Sequence, residues 1–152
     1  WSTCLTASKH PLVQRRRFDY CIIDEAGQLT QPVCIGPSLF ADVLVLVGDD
    51  QQLPPLVKSE LAKKLGMDVP LLTRLSQAHP SAVAKLSLQF RMNRDIMDLA
   101  NQLVYKNQLR CGCDSVAQQL LELTNFPNDV VSHSSGVTSD QWLADVLRPE
   151  RA

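Results

Sequence analysis

The 152-residue sequence has few aromatic side chains, almost no net charge and no long hydrophobic run. Aromatic residues make up 5% of the chain and the formal net charge is -1, so composition alone predicts no attraction to nucleic acid. No apolar run approaches the roughly 18 to 20 residues that a membrane-spanning helix needs. Because 45% of the residues are hydrophobic, a disordered chain is excluded as well. These values predict a folded globular domain, or part of one, that does not enter a membrane.

Signals for secretion and for a disulfide framework are also missing. The five cysteines are an odd number, and no charged or apolar leader segment precedes them. The sequence therefore indicates a reducing intracellular compartment. Because the chain begins with Trp1 rather than Met, we expect it to be a piece of a longer protein.

Two apolar runs predict neighbouring strands of one parallel sheet. Residues 18–23 favour a strand, and residues 41–47 form a near-continuous Val/Leu run. Runs without alternation are typical of strands that are covered on both faces. The intervening segment, residues 28–40, contains Pro32 and Pro37, which predicts a short or irregular crossover helix.

The second half of the chain is predicted to be mainly helical. Asn93 is a typical N-cap for the most strongly periodic helix, whose apolar residues recur as far as Val104. Residues at about 124–141 are rich in Ser, Asn, Asp and Gly, which predicts a loop or insertion. The other predicted elements are helices at residues 58–65, 71–77 and 115–123 and a third strand at residues 83–88.

Acidic residues follow both predicted strands at the point where each strand ends. Asp24 and Glu25 follow the first strand, and Gly48-Asp49 follows the second. The carboxyl ends of parallel strands line the ligand crevice of such sheets. Paired acids suit phosphoryl transfer, since one can hold Mg²⁺ through water and the other can deprotonate the attacking water. Taken alone, each pair is more often an exposed turn.

Two further side chains are suited to contact phosphate. The Gln52 carboxamide can donate to a phosphate oxygen and accept from water. Arg91, which lies between a predicted strand and the Asn93-capped helix, can direct its guanidinium onto a phosphate and stabilise transition-state charge. The alternative is a solvated Arg beside a helix N-terminus.

Three segments together carry a family resemblance. Asp24-Glu25-Ala26, Gly48 to Pro55 and Gln89 to Met92, in this order, resemble motifs II, III and IV of superfamily 1 helicases. The connecting sequence is most similar to the DNA replication ATP-dependent helicase/nuclease family, over about residues 3–123.

The resemblance implies an α/β fold, namely a partial RecA-like P-loop NTPase fold with a parallel sheet. Residues 1–85 would end the first lobe, and residues 86–152 would start the second lobe. The implied function is ATP-driven 5'-3' translocation on single-stranded DNA in replication and repair, with nuclease activity in the full-length protein. No G-x-x-x-x-G-K-[ST] phosphate loop occurs in the sequence, so we expect this chain alone to be inactive.

The resemblance also implies residue roles. Asp24 would hold the Mg²⁺ of MgATP through water, and Glu25 would be the catalytic base. Gln52 and Arg91 would contact the γ-phosphate. The implied site residues are catalytic Glu25 and Arg91, nucleotide-binding Asp24, Gln52, Asp49 and Gln89, and Asp24 as the Mg²⁺ ligand.

Thr3 resembles the family threonine that contacts the DNA backbone, and its alternative is a small polar residue at a strand end. Three positions depart from the family pattern: Gly27 where Ser is common, Asp50 where His is common and Phe90 where Tyr is common. The basic run Arg15 to Arg17 can contact phosphate, but a solvated turn is the favoured interpretation.

The implied cofactors are ATP and Mg²⁺, with an iron-sulfur cluster held only elsewhere in the full-length protein. The implied partners are single-stranded DNA, flap DNA, and single-strand-binding and replication proteins, in the nucleus and also in the mitochondrion. Two alternatives remain open at this point. One is an RNA or RNA/DNA helicase of the same superfamily, and the other is a non-catalytic, truncated interaction module.

Overall fold

The computed structural model describes residues 1–120 and divides the chain into two compact units, Trp1–Lys85 and Leu86–Ala152. Each unit is described by itself, and their assignment to two RecA-like lobes stays a prediction. The helices are α1 (Cys4–Lys9), α2 (Pro11–Gln14), α3 (Gln31–Ser38), α4 (Glu60–Lys64), α5 (Leu71–Ala78), α6 (Arg94–Ala100) and α7 (Asp114–Ala117), and the strands are β1 (Phe18–Ile23), β2 (Ala41–Leu46), β3 (Leu88–Gln89) and β4 (Arg110–Cys111).

The first unit is built on the parallel pair of β1 and β2. The strands pair in register from Phe18 opposite Ala41 to Ile23 opposite Leu46, so both predicted strands are confirmed. The second strand ends one residue earlier than predicted. The parallel α/β arrangement expected from the sequence is thus present.

The crossover between the strands is short and irregular, as predicted. A 3-10 turn at Ala26–Gln28 precedes α3, which has eight residues and contains Pro37 in its interior. Helix α1 packs against α3 at a glycine, because a Cβ built on Gly36 would lie 2.4 Å from Ser8 Oγ. The small residue therefore lets the two helices approach closely.

Only one face of the sheet is covered in the part of the chain that the structure describes. Tyr20 and Ile22 on the other face are 65% and 68% exposed, beside the exposed Val43 and Val45. The prediction that both strands are covered on both faces is therefore wrong for residues 1–120. The covered face packs on a core of Ile23, Ala26 and Cys34, with Cys4, Cys21, Leu29, Leu44, Leu46, Leu71 and Leu72 partly buried around it.

Helices α4 and α5 follow the predicted pattern with small shifts. Helix α4 begins at Glu60 rather than at residue 58, because the Ser59 side chain accepts a hydrogen bond from Ala62 N and caps the helix there. Gly66, with φ 81°, follows its C-terminus in the left-handed conformation that suits glycine. Helix α5 ends one residue beyond its predicted span.

The predicted third strand at residues 83–88 is wrong over most of its length. A 3-10 turn at Pro80–Ala82 precedes it, and only β3, two residues long, is a strand. Its parallel partner β4 is equally short, and apart from the bond from Arg110 N to Ser87 O the pairing does not extend back into residues 83–87. Alternation of apolar and polar residues favours a strand, but a strand also needs a neighbour of matching length.

The Asn93-capped helix is confirmed and changes its hydrogen bonding near its end. Asn93 Oδ1 accepts from Ile96 N at 3.0 Å, and α6 continues as a π-helix over Asn101–Tyr105. Helix α7 is shorter than predicted and starts one residue earlier; residues 121–123 of that prediction and the insertion at 124–141 lie outside the described residues. Within residues 1–120, no helix has both the length and the apolar content to span a membrane.

Candidate functional site

The carboxyl ends of β1 and β2 lie at one edge of the sheet and bring the two acidic segments together. Val47 N donates to Ile23 O at 2.8 Å, and Ala26 N donates to Val47 O at 2.9 Å. These bonds continue the pairing beyond the strands. The predicted meeting of Asp24-Glu25 with the Gly48-Asp49 segment is therefore observed in the backbone.

Two glycines allow this close approach. A Cβ on Gly27 would lie 2.5 Å from Asp49 O, and a Cβ on Gly48 would lie 2.9 Å from Gly27 N. A side chain at Gly27 would therefore require the Asp49 backbone to move away, so the two segments lie closer together here than a residue with a Cβ would allow. Sequence reasoning noted the departure but missed this contact, since nothing local marks a glycine that faces another loop.

Glu25, the predicted base, has an unusual backbone conformation. Its φ of 52° and ψ of 35° are left-handed, a region that costs a non-glycine residue about 1 to 3 kcal/mol. Its N–H donates to Asp24 Oδ1 at 3.0 Å, and its Oε2 accepts from Gln28 Nε2 at 3.3 Å. Both carboxylates are exposed at the strand end. Gln28 is a neighbour of the predicted base that the motif comparison did not single out.

Gln52, the predicted phosphate sensor, is held by the neighbouring acid. Asp49 Oδ2 accepts from Gln52 Nε2 at 3.1 Å, while Asp49 Oδ1 accepts from Gln51 N at 2.9 Å. A shallow open pocket of about 360 Å³ lies beside them, lined by Gln28, Gln51, Gln52 and Leu53. Amide groups from both strand-end segments thus line one surface.

The carboxylate oxygens at this end of the sheet suit a Mg²⁺ ion. Carboxylates and waters are the ligands that Mg²⁺ takes, and it is usually held by one or two carboxylates together with nucleotide phosphates. Asp24 is an exposed carboxylate in such a position. Among residues 1–120, no group of three or more His, Cys, Asp and Glu side chains is placed to hold a metal by itself.

In the second unit, Gln89 organises the turn that carries Arg91. Gln89 Oε1 accepts from Arg91 N at 2.8 Å and from Met92 N at 2.7 Å. Its Nε2 donates to Met92 O at 2.8 Å and to Cys111 Sγ at 3.3 Å. The predicted contact of Gln89 with a nucleotide therefore competes with bonds inside the protein, while Arg91 is exposed.

Thr3 lies at the start of α1. Its Oγ1 accepts from Thr6 N at 3.3 Å and donates to Thr6 Oγ1 at 2.9 Å, so it is the helix N-cap. The strand-end alternative and the predicted DNA contact both stay predictions. Arg17 of the basic run pairs with Asp42 through its Nε at 2.6 Å, at the opposite edge of the sheet from Glu25.

The clear pKa shifts belong to cysteines. Burial, and then the charge of nearby Cys4 and Cys21, raises the pKa of Cys34 from its ordinary 9.0 to about 11. Burial and then Cys4 also raise the pKa of Cys21. Hydrogen bonding, first with the Ser115 side chain, lowers the pKa of the exposed Cys113 thiol. Cys34 is thus a neutral core residue at physiological pH.

Comparisons with known proteins show the family of this chain. A family model described as an AAA domain matches residues 1–60, and a second with the same description matches residues 67–143. The DNA replication ATP-dependent helicase/nuclease of Xenopus laevis is 46% identical over 149 residues, which are 97% of this chain and 14% of that protein.

Two further relatives carry the same description. The Arabidopsis thaliana protein is 49% identical over 150 residues, 99% of this chain and 10% of that protein. The human protein is 44% identical over 151 residues, 97% of this chain and 14% of that protein. The chain thus spans between 10% and 14% of the length of these three relatives. The chain belongs to the AAA domain family, and its predicted resemblance to the DNA replication ATP-dependent helicase/nucleases of superfamily 1 is confirmed.

Proposed function

We propose that this chain is part of the motor of an ATP-dependent DNA helicase that acts in DNA replication and carries nuclease activity in the whole protein. The observation that carries the proposal is the hydrogen bond from Ala26 N to Val47 O, which joins the Asp24-Glu25 segment to the Gly48-Asp49 segment. An acid pair and a loop that carries a glutamine, both at the carboxyl ends of neighbouring strands, suit nucleotide hydrolysis. The names of the relatives, and their identity over nearly this whole chain, support the assignment to DNA.

Asp24 and Glu25 have different roles at the nucleotide. Asp24 would hold Mg²⁺ through water, and the ion would supply positive charge to balance the negative charge of the phosphate groups. Glu25 accepts the proton of the attacking water. The bond from Gln28 Nε2 to Glu25 Oε2 supports this role, since it limits the orientations of the carboxylate.

Gln52 and Asp49 are proposed as the phosphate-sensing pair. One hydrogen of the Gln52 carboxamide is bonded to Asp49 Oδ2, and the other hydrogen and the oxygen can face the γ-phosphate and its attacking water. A change at the phosphate can then shift the loop that begins at Gly48. Such a shift is a means of coupling the nucleotide state to the grip on DNA.

The second unit is proposed to start the second RecA-like lobe and to contribute Arg91 to the γ-phosphate. The exposed side chain of Arg91 supports this role, because its guanidinium makes no salt bridge within residues 1–120. Guanidinium groups bind phosphate in a bidentate manner and stabilise charge in the transition state. The first unit would then belong to the first lobe.

The remaining assignments rest on the family. Thr3 is proposed to contact the backbone of single-stranded DNA, with 5'-3' movement along the strand and flap DNA as a substrate. Single-strand-binding and replication proteins are proposed as partners, in the nucleus and the mitochondrion, with a further role in DNA repair. Nuclease activity and an iron-sulfur cluster are assigned to other parts of the whole protein.

Glu25→Gln in the full-length protein tests the proposal. The substitution keeps the size of the side chain but removes the base, so we expect ATP turnover to fall at least about 100-fold while nucleotide binding persists. The control is Glu60→Gln, which removes an exposed carboxylate of α4. Normal turnover in the Glu25 variant would show that the base is elsewhere.

The alternative of an RNA helicase has less support, because the three relatives are described as DNA enzymes. Unwinding of matched DNA and RNA duplexes by the full-length protein separates the two. Preference for the RNA duplex would favour the alternative. A full-length chain without ATPase activity on any nucleic acid would instead favour a non-catalytic module.

A further inference from the structure

We infer that Gln89 is a positioning residue: its carboxamide fixes the turn from Gln89 to Met92 and thereby orients Arg91 for catalysis. The inference deepens the proposed function and rests on the proposed role of Arg91. It differs from the prediction that Gln89 itself contacts the nucleotide.

The Gln89 carboxamide is fully used inside the second unit. Its oxygen accepts the N–H groups of Arg91 and Met92 at 2.8 and 2.7 Å. Its two amide hydrogens go to Met92 O at 2.8 Å and Cys111 Sγ at 3.3 Å. Since a carboxamide has two hydrogens, none remains for a phosphate. Both the oxygen and the nitrogen of the Gln89 carboxamide therefore hydrogen-bond to the backbone of the turn.

The turn is anchored to the interior of the second unit. Cys111 Sγ lies 3.6 Å from Met97 Sδ on α6, and Met97 is only 7% exposed. Gly112 N donates to Gln89 O at 2.8 Å, which fixes the Gln89 backbone as well. Because Cys111 is partly buried against the buried Met97 and Arg91 is exposed, the backbone of the turn is held while the guanidinium projects from it.

A fixed backbone at Arg91 matters because the arginine acts only when its guanidinium is correctly aligned. A displacement of about 1 Å in a catalytic group can lower a rate about 100-fold. Without the Gln89 carboxamide, the N–H groups of Arg91 and Met92 would lose their acceptor and the turn would sample other conformations. Loss of alignment should lower kcat and change KM for ATP little, since the interaction is made in the transition state.

The test is a mutant cycle in the full-length protein, with DNA-stimulated ATP hydrolysis as the readout. We expect Gln89→Ala to lower kcat about 10- to 100-fold at nearly unchanged KM. The double variant Q89A/R91A should match Arg91→Ala alone, because Gln89 acts through Arg91. Gln89→Glu keeps an acceptor for the two N–H groups but loses both donated bonds, so its kcat should be intermediate. The control is Gln118→Ala, an exposed glutamine of the same unit.

The outcomes separate this inference from the proposed function. Normal kcat in Gln89→Ala with a reduced kcat in Arg91→Ala would overturn the positioning role alone. Additive losses in the double variant would overturn it too, because they would indicate an independent contact of Gln89 with the nucleotide. Normal kcat in Arg91→Ala would overturn the role of Arg91, and the inference with it. If Gln89→Ala does not fold, the same cycle with Gln89→Glu tests whether Gln89 acts through Arg91.

Discussion

Single residues at the carboxyl ends of β1 and β2 combine a proposed catalytic role with unusual backbone geometry. Glu25 is left-handed, and the neighbouring Gly27 lies against the backbone of Asp49. A strained residue next to a close backbone contact is common where a site must be held in one arrangement. The rest of the unit therefore has to stabilise the backbone at Glu25 and Gly27, and small changes at these residues should lower the stability of the fold strongly.

Gly27→Ala should destabilise the chain although alanine favours helical backbone. The new Cβ would lie 2.5 Å from the backbone oxygen of Asp49, which cannot move without shifting the loop. We expect a loss of about 1 to 3 kcal/mol in the free energy of unfolding, measured by urea titration. Gly112→Ala is the matched control, because its Cβ would meet only the ring of the exposed Phe90, at 2.2 Å. Equal losses in the two variants would contradict the role given to Gly27.

The Cys34 thiol should make stability depend on alkaline pH. Its pKa is about 11 in the folded chain and near 9.0 in an exposed thiol, so the folded state binds the proton more tightly. The contribution is fully present below about pH 9 and is lost as pH rises toward 11, by at most about 3 kcal/mol. Urea midpoints over this range should fall more steeply in the parent chain than in Cys34→Ala. The exposed Cys113→Ala is the control, and parallel curves for the parent and Cys34→Ala would refute the assignment.

At the scale of elements, the first two strands and the Asn93 cap followed local sequence, while the third strand did not. Asn93 caps α6 as predicted, and Ser59 caps α4 although the sequence analysis started that helix at residue 58. Of the run at residues 83–88, only Leu88 lies in a strand, because the partner strand β4 is only two residues long. The π-helix at Asn101–Tyr105 was also not predicted. The Asn101 side chain, the first of this helix, hydrogen-bonds to the backbone of Leu109, and helical periodicity in the sequence does not predict such a bond.

Asn101→Ala should destabilise the second unit. The buried side chain donates from Nδ2 to Leu109 O and accepts at Oδ1 from Leu109 N, both at 3.0 Å. Its loss leaves two backbone groups without a partner, so we expect about 2 kcal/mol lower stability. Hydrogen exchange at the Leu109 amide should also accelerate. Gln102→Ala, one residue further and exposed, should leave both measurements unchanged; the same effect in that variant would point to the π-helix itself.

At the scale of the whole molecule, the first unit exposes one apolar face of its sheet. Tyr20, Ile22, Val43 and Val45 lie side by side on β1 and β2 and are exposed. Faces of this kind associate with other apolar surfaces. The isolated chain is therefore expected to be poorly soluble or marginally stable, and a sharp cooperative melt of soluble chain would contradict this.

Threonine substitutions on that face should improve the behaviour of the isolated chain. I22T/V45T keeps β-branched residues in both strands, so the strands should persist while binding of a hydrophobic dye falls. The variant should also stay soluble at higher concentration. The control is Leu56→Thr, which changes an 88% exposed leucine outside the sheet. Equal effects in both variants would mean that the sheet face is not the cause.

The sequence by itself determined the parallel strand pair, the acidic residues at the strand ends, the helix caps and the family. These features depend on local periodicity, on residue type and on the order of short motifs, which are all visible along the chain. Only the tertiary structure decided that Gly27 lies against the backbone of Asp49, that Gln89 bonds Cys111 as well as its own turn, and that one sheet face is exposed. Each of these depends on residues far apart in sequence, namely Asp49, Cys111 and the covering helices. Contacts of that kind follow from packing, which no local pattern specifies.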